Sequence, residues 1–393
     1  MKVLIWLSIG LDRRTPSEHL LAAITNALGE EGHSVHILQK DSGGPRPEIP
    51  EQMSRAGATT TRIRCAPSKR RNLAARYLED IGYVLKCRKW IRKNAGFDRV
   101  FMQSSNVAGL QVFFLRRILG DVPVTFNVQD IFPENAVYSN TLKGKGLLYR
   151  LFSAIQRYAY RKADRIITIS EDMRDQLEAL GVPSGKISTV YNWSYRDEPY
   201  RREDIDFSGT EGLFEPDKFN VVYAGNIGRM QHVEVILQTA GTMREDKDIV
   251  FHVFGEGVYR DRLRQTAQEE GLDNVVFHPM LDAKDAPALY AAADVNVIPL
   301  LKEIYRTALP SKTATCLACG KPIIMAIGSE SRFGKELSEN ADVLLTDSDD
   351  LEGIRKAILR IKAGGMESKG SAYYRSRFSI TANSRRYADI IIG

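Results

Sequence analysis

The sequence predicts an α/β protein of two Rossmann-like, doubly wound domains. Three observations predict it. The length of 393 residues suits two domains. Short apolar runs alternate with helical stretches in both halves, the pattern of a parallel sheet with helical crossovers. A polar, aperiodic break separates the two halves. A hydrophobic share of 43% and a charged share of 26% are ordinary for a globular chain and leave material for two cores.

In order, "KVLIWLSIG" predicts a strand and "TPSEHLLAAITNALGEEG" a helix. That helix opens with Thr15 as N-cap, Pro16 at the first helical position and Glu18 completing a capping box. "HSVHILQK", "DRVFMQSS", "VPVTFNVQD" and "ADRIITIS" predict further strands. Residues 68–93 are basic and broadly helical, with Leu73, Tyr77, Ile81, Val84 and Leu85 near one face. Such a stripe packs on its own domain, and the flanking cations leave contact with an anionic lipid surface open. The break covers residues 190–217. Beyond it, "FNVVYAG", "DIVFHVFGEG", "NVVFHPML", "ADVNVIPL", "KPIIMAI" and "ADVLLTD" predict six strands with helical stretches between them. The tail "YYRSRFSITANSRRYADIIIG" predicts a terminal helix pair.

A net charge of +6 asks for an anionic partner: nucleic acid, a lipid surface or a phosphorylated small molecule. Solubility alone is the plain alternative. Cys316 and Cys319 form the one C-x-x-C spacing among Cys65, Cys87, Cys316 and Cys319. No further ligands lie near it, so it reads as packing thiols and not as a zinc or redox site, and reduced thiols suit the cytoplasm. The N-terminus lacks a small-residue cleavage site, and no apolar run is long enough to span a bilayer.

The chemistry concentrates in "YAGNIGRMQ". A turn carrying Gly225, Asn226 and Gly228 between a strand and a helix brings backbone amides close to a ligand. With the helix start expected after it, this suits a phosphate, and Arg229 adds a charge-assisted bond. Glycines also serve tight turns for geometry alone. Downstream, Gly255 and Gly257 follow a second strand, and "ALPSK" places Lys312 near a helix start. A cation is poorly placed there for the helix dipole. A bound anion would offset that; a solvated surface lysine is the alternative.

Taken in order, "YAGNIGRMQHVEVIL", "VFGEG", "LYAAADVNVIPL" and "LPSKTATCLACGKPII" resemble the GT-B glycosyltransferases, specifically the large retaining family that uses nucleotide-activated sugars (group 1, family 4). "QDIFPE" and "YNW" resemble its branch that builds bacterial surface polysaccharides. The resemblance implies an acceptor domain at 1–195, a nucleotide-sugar domain at 196–375 facing it across a cleft, and a helix at 376–393 crossing back. It implies a nucleotide-sugar donor, of UDP type, and a saccharide or lipid-linked saccharide acceptor. It implies no metal, no other cofactor and no nucleic-acid partner. The location expected is cytoplasmic, at most peripheral on the membrane's inner face. Gly225, Asn226, Gly228 and Arg229 would lie against the diphosphate with Lys312 as a second cation, Gly255, Gly257 and Ser311 would belong to the donor nucleotide site, and Met280 and Leu281 would lie toward the base. Many members carry two glutamates where this chain has Thr307 and Thr315. Thr315 could bond a ribose hydroxyl, and Thr307 weakens the hold on the donor sugar.

Catalysis is expected from Arg229 and Lys312, which stabilise the leaving diphosphate. Asp130 would take or position the acceptor proton, or merely cap its turn. Glu134 and His19 fall on the acceptor side, His19 as a surface or packing residue and not a base. Three other readings compete: a non-hydrolysing UDP-sugar epimerase, a degenerate nucleotide-sugar binder or scaffold, and a nicotinamide oxidoreductase. The last lacks G-x-G-x-x-G after the first strand.

Overall fold

The computed structural model describes residues 1–11, 17–41, 43–44, 49–65, 73–144, 146–366 and 369–393. It divides into two units, Met1–Asn192 with Ile380–Gly393, and Trp193–Ser379.

The first unit runs β1 (Lys2–Trp6), α1 (Glu18–Glu30), β2 (Ser34–Asp41), α2 (Glu51–Arg55), β3 (Thr59–Arg64), α3 (Leu73–Lys93) and β4 (Arg99–Gln103). It continues α4 (Ala108–Leu119), β5 (Val124–Val128), α5 (Glu134–Tyr138), α6 (Leu147–Lys162), β6 (Arg165–Thr168), α7 (Glu171–Ala179) and β7 (Ile187–Thr189). Among the described residues its strands form one seven-stranded sheet, ordered β3-β2-β1-β4-β5-β6-β7. Each neighbouring pair is parallel. Parallel strands are covered on both faces and read as unbroken apolar runs. Accordingly Val3, Leu4, Ile5 and Trp6 of β1 and Val100, Phe101 and Met102 of β4 are all buried. Strand order reverses between β1 and β4, the place where such sheets open a crevice at their carboxyl ends.

α1 begins at Glu18 with Ser17 at its cap position and no side-chain cap bond. The cap read at Thr15 and Pro16 lies outside the described residues. On α3 the buried stripe is Tyr83, Val84, Cys87 and Ile91, while Leu85 is exposed. This corrects the expected face by about a quarter turn at its carboxyl end. Residues 68–72 and the side chain of Leu73 lie outside the description.

The second unit runs β8 (Phe219–Ala224), α8 (Glu234–Thr242), β9 (Ile249–Phe254), α9 (Arg260–Glu269), β10 (Val275–His278), α10 (Ala286–Ala292) and β11 (Val295–Pro299). After these come α11 (Lys312–Ala318), β12 (Ile323–Ala326), α12 (Arg332–Asn340), β13 (Val343–Thr346), α13 (Leu351–Lys362) and α14 (Gly370–Arg377). Its described strands form a parallel six-stranded sheet, β10-β9-β8-β11-β12-β13, with the reversal between β8 and β11. Val221, Tyr223, Phe251, Val253, Val295, Val297 and Ile324 build its core. Ser331 and Asp350 cap α12 and α13 by accepting from Gly334 and Gly353 N–H. Cys316, on α11, and Cys319, just after it, are buried free thiols.

The last helix, α15 (Ile380–Ile392), belongs to the first unit. Its Tyr387 is buried edge-on to Phe101, with ring centroids 6.2 Å apart. No described helix is long and apolar enough to cross a membrane.

Candidate functional site

In the second unit the turn after β8 sits at the point where strand order reverses. Its geometry is set by the neighbouring turn after β9. Gly225 N–H donates to Phe254 O at 3.0 Å and Ile227 N–H to Glu256 O at 2.8 Å, and Tyr259 N–H returns to Ile227 O at 3.1 Å. The two turns are so close that a Cβ on Gly255 would stand 1.9 Å from Gly225 O, so only glycine fits there. Gly257 packs on Ile227 in the same way.

This corrects one expectation. The amides of Gly225 and Ile227 are already bonded within the protein and do not face a ligand. Those of Asn226 and Gly228 have no partner among the described residues. Nor does a helix start directly after the turn. Arg229–Gln231 forms a single 3-10 turn, His232 follows in the left-handed region at φ 48°, and α8 starts only at Glu234. His232 is held by Asp349 at 2.8 Å. Arg229 is exposed and has no ion-pair partner among the described residues.

Lys312, the first residue of α11, reaches back to this turn. A Cβ on Gly225 would meet its Nζ at 2.9 Å, so the glycine makes room for the amine. The nitrogen lies 3.8 Å from the centroid of the Tyr223 ring. It is shut off from solvent with no hydrogen-bond acceptor among the described residues, although the rest of the side chain is partly exposed. Loss of hydration pulls the amine down to about 8. An unpaired buried cation is costly unless something anionic meets it. Tyr223 also fixes the turn by donating its hydroxyl to Asn226 O at 2.5 Å, and Asn226 donates to Gln231 at 3.0 Å. Tyr223 and Gln231 are absent from the sequence reading. A tyrosine ending a buried strand just before a glycine turn is the signal that marks the first.

Other expected donor residues divide. Ser311 is exposed at the cap of α11, and Met280 and Leu281 follow β10 on the same carboxyl edge of the sheet. Thr307 and Thr315 are corrected. Thr307 is fully buried and its hydroxyl donates to Ile304 O at 3.1 Å in its own turn. Thr315 is buried against Ser194, oxygen to oxygen at 3.0 Å. Both hydroxyls are engaged in packing and neither is presented to a ligand. Nearby Glu303, at φ 69°, pairs with Arg306 at 2.5 Å.

In the first unit, the loops after β1 and β4, the end of β2 and the face of α3 line a recess of about 290 Å³ with Ser8, Lys40, Glu79, Asp80, Ser104 and Asn106. Lys40 Nζ lies 2.6 Å from Glu79 and 3.5 Å from Asp80. Burial works against its charge, but the two carboxylates outweigh it and raise its pKa. Asp130 borders this recess through Ser104. The Ser104 hydroxyl accepts from Gln129 N–H at 2.7 Å and Asp130 N–H at 3.3 Å, and donates to Asn127 O at 3.2 Å. The Asp130 side chain is accessible, yet dense protein around it pushes the carboxyl up to about 6 by loss of hydration. Tyr387 completes the support, donating to Asn127 at 3.3 Å and accepting from Gln129 at 3.4 Å. Glu134 is a correction. It is buried and accepts from Tyr149 at 3.1 Å, so it braces its own unit. His19 is partly buried on the first turn of α1.

Residues 18–193 match a family model described as glycosyl transferase 4-like domain, and residues 218–363 one described as glycosyl transferases group 1. WbjE of Pseudomonas aeruginosa, named as a glycosyltransferase, is 28% identical over 244 residues, covering 61% of this chain and 60% of WbjE. WcaI of Escherichia coli strain K12, named for colanic acid biosynthesis, is 26% identical over 242 residues, covering 56% and 59%. The matches thus span less than two thirds of either relative. Among solved structures, HepE of Anabaena in complex with UDP superposes with a TM-score of 0.72 at 13% identity over 99% of both chains. WaaG, a glycosyltransferase involved in lipopolysaccharide biosynthesis, gives 0.69 at 16% over all of both chains. At these identities the likeness is one of fold, and the fold is GT-B. With both of its halves matched in order, the chain belongs to the group 1, glycosyl transferase 4-like family of glycosyltransferases.

Proposed function

We propose that this protein transfers a glycosyl group from a nucleoside diphosphate sugar, of UDP type, to a hydroxyl of a saccharide acceptor. The acceptor is carried on a lipid during assembly of a bacterial surface polysaccharide, and the protein works at the periphery of a membrane. The observation that carries the reading is the buried amine of Lys312, without a hydrogen-bond partner among the described residues, at the Gly225 turn, whose continuation carries the exposed Arg229. A pyrophosphate is the ligand whose charge and size suit that pair.

In the reaction the bond from sugar C1 to the β-phosphate oxygen breaks and one from C1 to the acceptor oxygen forms. The electron pair of the first leaves with the nucleoside diphosphate. Negative charge grows on that group as the sugar becomes oxocarbenium-like. Fixed cations at Lys312 and Arg229 bind it more strongly in the transition state than before. They neutralise it with no divalent metal in this reading. Asp130, pinned by Ser104 beside a polar recess, orients the acceptor hydroxyl or receives its proton. The configuration at C1 is retained.

A thermal-shift panel of UDP-, GDP- and dTDP-sugars tests the donor. Stabilisation by one nucleotide that is lost in Lys312→Ala and Arg229→Ala is expected; stabilisation that survives both changes removes these residues from the phosphate site. Release of UDP should then require a lipid-linked saccharide. Thr307 and Thr315, engaged in packing where many relatives carry glutamates, favour a second reading, a nucleotide-sugar binder without turnover. Tight binding with no acceptor-dependent release of UDP would select it.

A further inference from the structure

We infer that α6 carries a docking site for an anionic phospholipid bilayer, with a headgroup phosphate in an arginine-lined recess and three leucines beside it in the acyl region. Arg150, Arg157 and Arg161 stand two turns and then one turn apart on one side of α6. With Tyr149, Tyr160 and the loop after α7 they line a recess of about 550 Å³. None of the three has a carboxylate within ion-pair distance among the described residues. The nearby acid, Glu134, is buried and bonded to Tyr149. Arg157 feels the Glu134 carboxyl at a distance, which leaves an excess of positive charge around the cavity; that excess calls for an anionic group, and arginine forks match phosphate.

The second observation is independent of the charge. Leu147, Leu148 and Leu151, on the first two turns of the same helix, are 83%, 55% and 52% exposed. A soluble phosphate would use the arginines and leave these leucines in water without purpose. A bilayer uses both, because cations meet the headgroups while apolar side chains enter below them. Exposed Lys143 and Lys162 extend the same charge. The topology adds placement. α6 ends just before β6, which runs parallel to β5, so α6 starts at the carboxyl edge of the sheet. That edge also bears Asp130 and the polar recess at the ends of β1, β2 and β4. The leucines on its first two turns therefore stand toward that edge, and the recess runs from there along α6 to the loop after α7 at the opposite edge.

The inference deepens the peripheral-membrane part of the proposed function and rests on that part alone. Co-sedimentation with vesicles of phosphatidylcholine, and of an equal mixture with phosphatidylglycerol, tests it. The protein should pellet with the mixed vesicles and not with the neutral ones. Arg150→Ala with Arg157→Ala should lower partition by roughly tenfold or more. Leu147→Ser with Leu151→Ser should lower it comparably. Lys89→Ala with Arg92→Ala on α3 should change it little.

Equal loss from the α3 pair would mean diffuse charge and overturn the site. Displacement by glycerol phosphate with no effect of the leucine pair would make the recess a soluble-anion pocket, and also overturn it. So would indifference of the unaltered protein to phosphatidylglycerol. Each variant's UDP-induced thermal shift separates the two readings. If the unaltered protein shows no such shift while vesicle binding behaves as expected, the transferase reading falls and the docking site stands.

Discussion

The ammonium of Lys312 lies over the face of Tyr223, 3.8 Å from the ring centroid, while that tyrosine's hydroxyl holds the carbonyl of Asn226 at 2.5 Å. One side chain thus cradles the cation and fixes the turn the cation faces. The ring is a weak counter-charge, enough to hold the amine when the site is empty and too little to compete with a phosphate.

Lys312→Met should raise the dissociation constant for UDP by roughly ten- to a hundredfold, the worth of a lost charged hydrogen bond. The same change should leave the ligand-free melting temperature unchanged or higher, because it removes an unpaired buried charge. Calorimetry and thermal unfolding on the same samples check both. A variant that melts lower and still binds UDP would show that the amine serves packing.

Hydration lost on burial sets the amine at about 8. Below that pH it is charged and attracts the diphosphate; above it, UDP affinity should fall by up to tenfold per pH unit. Stability moves the other way. The unfolded lysine keeps its proton up to its ordinary value, so from about 8 to that value the unfolded state binds more protons and this group favours folding as pH rises. Titrations of UDP binding and of urea unfolding across this range should therefore slope in opposite directions.

Gly255→Ala would drive a methyl against Gly225 O, 1.9 Å from the ideal Cβ position. The contact is backbone to backbone and has no flexible end to yield. We expect about 2 to 4 kcal/mol of destabilisation by chemical denaturation, together with loss of the UDP-induced shift. Gly271→Ala, with open space around its Cβ position and φ 61°, should cost about 1 kcal/mol for its positive φ and leave UDP binding intact.

The Asp130 carboxyl, raised to about 6 by lost hydration, should impose a rising limb on the transfer rate near that pH. Asp130→Asn should remove the limb along with most of the rate. Ser104→Ala unties the loop from its shared hydroxyl, and should lower kcat while leaving the donor KM near its original value. The elevated carboxyl also makes stability decline as pH climbs from the ordinary aspartate range to about 6, since the folded state there binds more protons.

Central strands such as β1 and β9 were legible because burial on both faces leaves an unbroken apolar run. The edge strands β3, "TTTRIR" and half-exposed, and β7, three residues long, carry no such run and were not read. In the site, the glycine turn and Lys312 could be found by spacing. The ring of Tyr223 beneath the amine could not, since it depends on how α11 is laid across β8. Thr307, Thr315 and Glu134 misled for a common reason. A polar residue in a motif looks available, and only the folded chain shows that its partner is its own turn, a passing segment or a neighbouring helix.

Because α15 packs on the first unit and its Tyr387 steadies Asn127 and Gln129, a loop near residue 130 depends on a segment made about 250 positions later. On the ribosome, the earlier-synthesised lobe must wait with a bare flank until the other lobe has emerged. Its completion is therefore timed by α15, and a translation stop at Ser379 would leave two formed sheets and a slack loop at Asp130.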